Sequence, residues 1–79
     1  MVRWASLEEL DLSYNRIAEV EEVRCPKLRV LNLGWNEIRR IEGIEGSEML
    51  EELNLCNNQI SDCSKLRGLR RLRRLFAVE

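Results

Sequence analysis

The sequence predicts an α/β solenoid, a right-handed coil with short parallel strands on its concave face and 3₁₀ or irregular returns on its convex face. Two observations predict this fold class. The segments 7–20, 28–41 and 50–63 repeat one pattern, their first leucines are 21 and 22 positions apart, and a fourth copy begins at Leu72. Within each copy the apolar spacing changes from two residues to three. Repetition at this period is typical of solenoids, in which each repeat contacts only its neighbours.

The first part of each repeat is predicted to be a strand. Counting from the first leucine, positions 4 and 6 are apolar and alternate with more polar positions, as Leu10 and Leu12 do with Glu9, Asp11 and Ser13. Such alternation is typical of a half-buried strand. Stacked repeats therefore place these strands side by side in a parallel sheet.

The second part of each repeat is predicted to be the return. Apolar residues follow every third position, as at Ile38, Ile41 and Ile44, and this period favours a 3₁₀-like or irregular path over an α-helix. Position 9, where the strand turns into the interior, is always asparagine. A buried amide at that point has to be hydrogen-bonded, so these residues are predicted to form a structural ladder that satisfies turn groups. Its members are Asn15, Asn36 and Asn58.

The pattern L-x-x-L-x-L-x-x-N-x-L, continued by I-x-x-I-x-x-L, resembles the leucine-rich repeat over essentially the whole chain. The 22-residue period resembles one subclass, seen in the leucine-rich regulatory subunit of protein phosphatase 1, the outer-arm dynein leucine-rich light chain and the A-prime protein of the U2 ribonucleoprotein. The resemblance implies a protein-binding scaffold, regulatory or adaptor in role, that uses its concave sheet. It leaves open a phosphatase-regulatory setting, an axonemal or dynein-associated structural role, and a role in an RNA–protein complex.

One domain is predicted for the 79 residues. Residues 1–6 are interpreted as the tail of a preceding half-repeat, with Trp4 as a lid on the core, and 7–27, 28–49 and 50–71 as complete repeats. Residues 72–79 form a partial repeat. Solenoids need modified end repeats, so we expect either a longer solenoid or a C-terminal end that self-associates or is covered by a partner. The exposed apolar residues at this end are predicted to be Leu72, Leu75 and Phe76.

Composition excludes several classes of function. The chain contains no histidine, and its adjacent carboxylates, such as Glu51 and Glu52, diverge on a strand, so no catalytic site, metal site or cofactor is predicted. No apolar run of 18 residues is present, so no membrane span is predicted. Cys25, Cys56 and Cys63 have neither disulfide nor zinc spacing. Cys56 is predicted to be exposed and Cys63 to lie in the core, and the chain is predicted to be intracellular, in the cytoplasm or the nucleus.

Charge is divided along the chain. Residues 1–63 carry 7 basic and 13 acidic side chains, whereas residues 64–79 carry 6 basic and 1 acidic. The basic segment 65–74 is interpreted as a solvated face, or as a patch for an acidic partner or RNA phosphate.

The candidate site is the concave face, to which positions 3, 5, 7 and 8 are predicted to contribute. Tyr14 and Trp35 occupy position 8 of successive repeats and are expected to be neighbours at about 5 Å, the strand spacing. Exposed aromatic residues rimmed by carboxylates are typical of a protein-binding hot spot, although an exposed tryptophan is also ordinary surface. The same rings are able to stack on nucleic-acid bases, but the carboxylates repel phosphate, so a protein partner is favoured. The predicted partner-binding residues are Glu9, Asp11, Tyr14, Val30, Asn32, Trp35, Glu52, Asn54, Asn57, Arg74 and Phe76.

Overall fold

The computed structural model describes residues 2–3, 5–20, 23–41, 47–62, 66 and 68–77, with the backbone alone for Val2–Arg3 and Val23–Arg24. Several residues that carry sequence predictions lie outside this described part, namely Met1, Trp4, Gly43, Ile44, Gly46, Cys63, Lys65, Arg67, Val78 and Glu79.

Six short strands are present in the described residues: β1 (Val2–Arg3), β2 (Glu9–Asp11), β3 (Val23–Arg24), β4 (Val30–Asn32), β5 (Glu52–Asn54) and β6 (Arg74–Phe76). Strands β2, β4, β5 and β6 form one four-stranded parallel sheet in that order. The predicted solenoid of parallel strands is therefore confirmed. Each of these four strands spans only positions 3 to 5 of its repeat, so the residues at positions 7 and 8 follow the strand instead of belonging to it.

The register of the sheet repeats without a shift. Glu9 aligns with Val30, Val30 with Glu52, and Glu52 with Arg74. Equivalent positions of successive repeats are thus direct neighbours, which is what turns a sequence repeat into rows of like-positioned side chains across the sheet.

The returns are less uniform than the apolar spacing predicts. Leu66 and Gly68 have the expected 3₁₀ conformation, but β1 pairs with β3 in parallel, and Arg40 bridges to both Glu19 and Asp62. The reason is that return backbone groups also need partners. They find them in the next return, as in Glu37 N to Ile17 O at 2.9 Å and Gln59 N to Ile38 O at 3.0 Å.

The core lies between the sheet and the returns, and it is deepest in the middle of the stack. The buried apolar residues are Val20, Cys25, Leu28, Leu31, Leu33, Ile38, Ile41, Leu50, Leu53, Leu55 and Leu69. In contrast, the leucines of the first repeat, such as Leu7, Leu10 and Leu12, are only partly buried, as is Leu72. Each repeat covers one side of its neighbour, so leucines at the two sides of the described stack are covered incompletely.

Strands β4, β5 and β6 are each preceded by a tight turn that closes with the same kind of hydrogen bond. The bonds run from Leu28 N to Cys25 O at 3.0 Å, from Leu50 N to Ser47 O at 3.1 Å and from Leu72 N to Leu69 O at 3.2 Å. Pro26 lies in the first of these turns. Cys25 is a buried free thiol, and Cys56 is half-buried, which corrects the prediction that it is exposed.

Candidate functional site

The concave face of the sheet carries a shallow groove of about 270 Å³. It is lined by Glu9, Leu10, Asp11, Val30, Leu31, Asn32, Glu52, Asn54 and Phe76. Seven of the eleven predicted partner-binding residues thus share one groove. They come together because positions 3 and 5 of each strand face the same side of an in-register sheet.

The groove combines apolar surface with carboxylates. Val30 is half-buried in its centre, and Phe76 is 45% exposed at its C-terminal side. Glu9 and Asp11 are exposed at the N-terminal side. Glu52 is half-buried and is paired with Arg74, whose Nη1 lies 3.4 Å from its Oε1. The N-terminal half of the groove is therefore acidic, and its C-terminal half is partly neutralised.

Position 5 has a second role that the sequence reading missed. The Oδ1 atoms of Asp11, Asn32 and Asn54 each accept a hydrogen bond from the backbone N–H two residues later, at 2.9, 3.0 and 2.9 Å. The Ser13 hydroxyl also donates to Asp11 Oδ1, at 2.6 Å. The two hydrogen bonds from Ser13, from its hydroxyl and its backbone N–H, lower the pKa of the Asp11 carboxyl. The signal was available, since Asp and Asn are the residues that form such local turns.

Gly34 shows how closely this row packs. A Cβ at that position would lie 3.3 Å from the Oδ1 atoms of both Asn32 and Asn54. The side chains at position 5 therefore occupy the space above position 7 of the middle repeat, and a glycine leaves that space open.

Tyr14 and Trp35 form an exposed aromatic stack. Their ring centroids are 4.9 Å apart and their planes are within 10° of parallel, so the prediction that the rings are neighbours is confirmed. Tyr14 is 72% exposed and Trp35 44%. However, both residues lie in the turns after β2 and β4, beside the groove and not on the sheet itself. The next member of this row is Asn57, which is also exposed.

The backbone of this aromatic row is in the left-handed region. The φ angles are 57° for Tyr14, 54° for Trp35 and 57° for Asn57. Asparagine adopts this region readily, but for bulky residues it costs about 1–2 kcal/mol. The conformation is held by hydrogen bonds to the next repeat, from Tyr14 N to Gly34 O at 3.0 Å and from Trp35 N to Cys56 O at 2.8 Å. Two aromatic residues therefore occupy positions where the fold itself favours asparagine.

The asparagine row at position 9 is structural, as predicted, in its two inner members. Asn36 Nδ2 contacts Leu12 O, Leu33 O and Gly34 O at 3.0–3.2 Å, and its Oδ1 accepts from Ile17 N at 3.0 Å.

Asn58 makes the equivalent set one repeat later, with Leu33 O at 2.9 Å and Ile38 N at 3.0 Å. Asn36 is buried and Asn58 half-buried. Asn15 is exposed and bonds to Leu12 O and Ser13 O of its own turn, so the prediction of burial is wrong for this residue, which follows β2, an outer strand of the sheet.

A row of alternating charge crosses the N-terminal ends of the strands at position 2. Its members are Glu8, Arg29, Glu51 and Arg73. Arg29 Nη1 lies 3.6 Å from Glu8 Oε1, and its Nε lies 3.1 Å from Glu51 Oε2. The hydrogen bond that Arg29 donates to Glu51 and the charge of Glu51, followed by the charge of Glu8, raise the pKa of Arg29.

Arg74, which was predicted to belong to the partner site, borders this charged row and not the groove. The sequence reading missed the row because it considered only positions 3, 5, 7 and 8. Reading position 2 down the repeats would have found it.

Among the described residues, no three of the metal-binding types Cys, Asp and Glu are grouped closely enough to hold an ion. No helix in the described part of the chain is long and apolar enough to cross a membrane.

The fold and this face define a repeat protein that presents a rigid, open surface. The chain belongs to the leucine-rich-repeat family: the family description for two copies of the repeat matches residues 5–46, and that for a single repeat matches residues 49–73. Members of this family are generally non-catalytic modules for protein–protein interaction.

Three curated relatives illustrate how widely the repeat occurs. The chain is 44% identical over 57 residues to Protein NUD1 of Saccharomyces cerevisiae, covering 70% of this chain and 7% of the yeast protein. It is 40% identical over 60 residues to the leucine-rich repeat-containing G-protein coupled receptor 4 of Xenopus tropicalis, covering 72% and 6%. It is 36% identical over 70 residues to a protein phosphatase 1 regulatory inhibitor subunit PPP1R7 homolog of Arabidopsis thaliana, covering 86% and 21%.

The chain thus spans between 6% and 21% of the length of these three proteins. No solved structure gives a significant match to the chain.

Proposed function

We propose that this chain is a non-catalytic scaffold that binds a protein partner on its concave face, with the Tyr14–Trp35 stack as the anchor. The observation that carries the proposal is the left-handed backbone at these two residues. Strain of this kind persists where the surrounding structure enforces it, and it concentrates at functional sites. Asn57 occupies the same conformation without an aromatic ring, so the turn does not require one.

The groove beside the stack selects the chemistry of the partner. Glu9 and Asp11 are exposed carboxylates beside the apolar side chain of Val30. A segment with basic and apolar side chains complements this arrangement, whereas the phosphates of a nucleic acid are repelled by it. The partner segment is therefore proposed to be a basic, extended stretch of polypeptide that lies across the strands.

The biological setting is proposed to be regulatory or adaptor in kind, inside the cell. The similarity to the phosphatase 1 regulatory subunit homolog supports this setting, and the free thiols Cys25 and Cys56 support a reducing compartment. A structural role beside dynein and a role in an RNA–protein complex are the alternatives within the same repeat subclass.

The first test separates binding from folding with the substitution Trp35→Asn. Loss of the aromatic stack costs about 0.5–1.5 kcal/mol, and relief of the left-handed backbone offsets a similar amount. The free energy of unfolding is therefore expected to change by less than about 1 kcal/mol. Binding is expected to weaken by about 2 kcal/mol or more, which is about thirtyfold in Kd.

The measurement begins with a peptide library displayed on phage and selected on the wild-type chain. Selected peptides are then titrated by calorimetry against the wild type, Trp35→Asn and the control Met49→Ala. Met49 is also exposed and apolar but lies in the turn before β5, so this variant should bind like the wild type. Equal affinity for Trp35→Asn and the wild type would show that the aromatic stack is not the anchor.

The second test concerns charge. Glu9→Arg reverses a carboxylate at the groove, and the control Glu48→Arg reverses another exposed carboxylate, which lies in a turn. Glu9→Arg should slow association of the selected peptides and flatten its salt dependence, because rim charges act mainly on the association rate. Peptides that lack lysine and arginine, or equal rates for both variants, would argue against an acidic recognition face.

A further inference from the structure

The two outer strands of the four-stranded sheet, β2 and β6, are complementary to each other. Every step across the sheet is one repeat with an unchanged register, so a further step beyond β6 leads to a strand placed as β2 is placed. We propose that β2 of a second copy of this chain stacks on β6, head to tail, and continues the parallel sheet. This joint lies along the two edges of the sheet, where Phe76 also lines the concave groove.

Backbone hydrogen bonding defines the joint. At each step the N–H of position 6 donates to the carbonyl at position 5 of the following strand, as in Leu33 N to Asn54 O at 2.8 Å and Leu55 N to Phe76 O at 2.6 Å. Repeating the step assigns the Ala77 N–H to the Asp11 carbonyl of the second copy. Other hydrogen bonds run from a strand back to the preceding one, as when Arg73 N and Arg74 N donate to Glu51 O at 2.8 and 3.0 Å. Repeating this step assigns Glu8 N and Glu9 N of the second copy to Arg73 O.

Apolar surface is present on both sides of the joint. Leu75 and Phe76 are 46% and 45% exposed on β6. The opposite end of the sheet has an open apolar hollow of about 510 Å³ lined by Ala5, Ser6, Leu7 and Leu10. Stacking one repeat further brings Leu75 beside Leu10 of the second copy, in the row where Leu31 and Leu53 already align, and so removes both apolar surfaces from water.

Charge specifies the second copy as the occupant. The row at position 2 reads negative, positive, negative, positive from Glu8 through Arg29 and Glu51 to Arg73, and two of its steps are ion pairs at 3.6 and 3.1 Å. The member that continues this alternation is negative, and Glu8 of a second copy supplies it.

This joint is heterologous, because it pairs β6 of one copy with β2 of the next. After each copy is added, the oligomer therefore still has one free β2 edge and one free β6 edge. The expected behaviour in solution is a concentration-dependent series of oligomers rather than a single closed dimer. High salt is expected to weaken these charge pairs, because dissolved ions screen the interaction between charges at an exposed surface.

The experiment is a charge swap read by sedimentation velocity over a range of concentrations. Arg73→Glu alone and Glu8→Arg alone should each remain monomeric at concentrations where the wild type oligomerises. Mixed together, the two variants should oligomerise again, since each like-charged joint is replaced by an opposite-charged one. The controls Arg39→Glu and Glu48→Arg change the same charges away from both edges, and should oligomerise like the wild type. Circular dichroism establishes that each variant is folded.

A wild-type chain that stays monomeric throughout the concentration range would overturn the proposal. So would oligomers that survive in Arg73→Glu, or an equimolar mixture that stays monomeric when both variants are folded. None of these outcomes bears on Trp35, so the edge and the concave face are tested independently.

Discussion

At the scale of the residue, the Asn36 side chain ties two repeats together. It donates to carbonyl groups of both repeats and accepts from Ile17 N, and it is buried. Asn15 has the same place in its repeat, yet it is exposed and bonds within its own turn. The same residue type is therefore expected to contribute differently to the free energy of unfolding at the two positions, because its surroundings differ.

We expect Asn36→Ala to lower the free energy of unfolding by about 1–3 kcal/mol, since it orphans buried backbone groups. Asn15→Ala should cost about 0.5–1 kcal/mol, because water replaces the lost partners. Urea denaturation of the two variants measures the difference. Equal losses would mean that burial does not decide the value of this asparagine.

Asp11 gives a prediction about pH. Hydrogen bonds from the Ser13 hydroxyl and then the Ser13 backbone N–H lower its pKa. A carboxyl whose pKa is lowered in the folded state stabilises the fold above its unfolded pKa, which is about 3.9, and the contribution is lost as the pH falls through the folded value. Ser13→Ala should raise the pKa of Asp11 while leaving it below its ordinary value, because the backbone donor remains. The pKa is measured from the chemical shift of the Asp11 side-chain carboxyl carbon as a function of pH, with Ser6→Ala as the control. An unchanged pKa in Ser13→Ala would contradict the assignment to the hydroxyl group.

At the scale of the element, the three turns that precede the strands have one geometry and three different first residues. Cys25, Ser47 and Leu69 each offer the carbonyl that closes the turn, and all three are buried. The Ser47 hydroxyl has no hydrogen-bond partner among the described residues. The turn therefore uses the backbone of its first residue and places the side chain in the core, where a hydroxyl group is costly.

Ser47→Ala should therefore raise the free energy of unfolding by about 1 kcal/mol, because it removes an unsatisfied buried hydroxyl. Ser6→Ala, at an exposed serine, should have almost no effect. Thermal and urea melts compare the two, and a destabilised Ser47→Ala would indicate that the hydroxyl has a partner in the folded chain.

At the scale of the whole molecule, stability is graded along the stack. Leu31 is buried between repeats on both sides, whereas Leu10, in the same row of the sheet, is only partly buried on β2. A solenoid gains its stability from contacts between neighbouring repeats, so the middle of the stack contributes most.

Leu31→Ala should cost about 2–5 kcal/mol, the usual range for a buried leucine, and so unfold most of the chain. Leu10→Ala should cost about 1 kcal/mol, since less apolar surface is lost from the core. Urea denaturation of both variants provides the comparison, and equal destabilisation would contradict a graded core.

The sequence by itself determined the repeating unit: which positions face the core, where the strands lie, and that Tyr14 and Trp35 are neighbours. These features follow from spacing within a repeat and from equality between repeats, both of which are visible in a linear sequence. The partner role of the concave residues remains a proposal, although their convergence on one groove was predictable from the same periodicity.

Only the tertiary structure decided how far each strand extends, that the returns pair with one another, and that Asn15 is exposed while Asn36 is buried. It also decided that Arg29 pairs with a carboxylate of the repeat on each side of it. The physical reason is that these outcomes depend on what lies about twenty residues away in the next repeat. A side chain in the middle of the stack has a neighbour on both sides, and one at the edge of the sheet has a neighbour on only one.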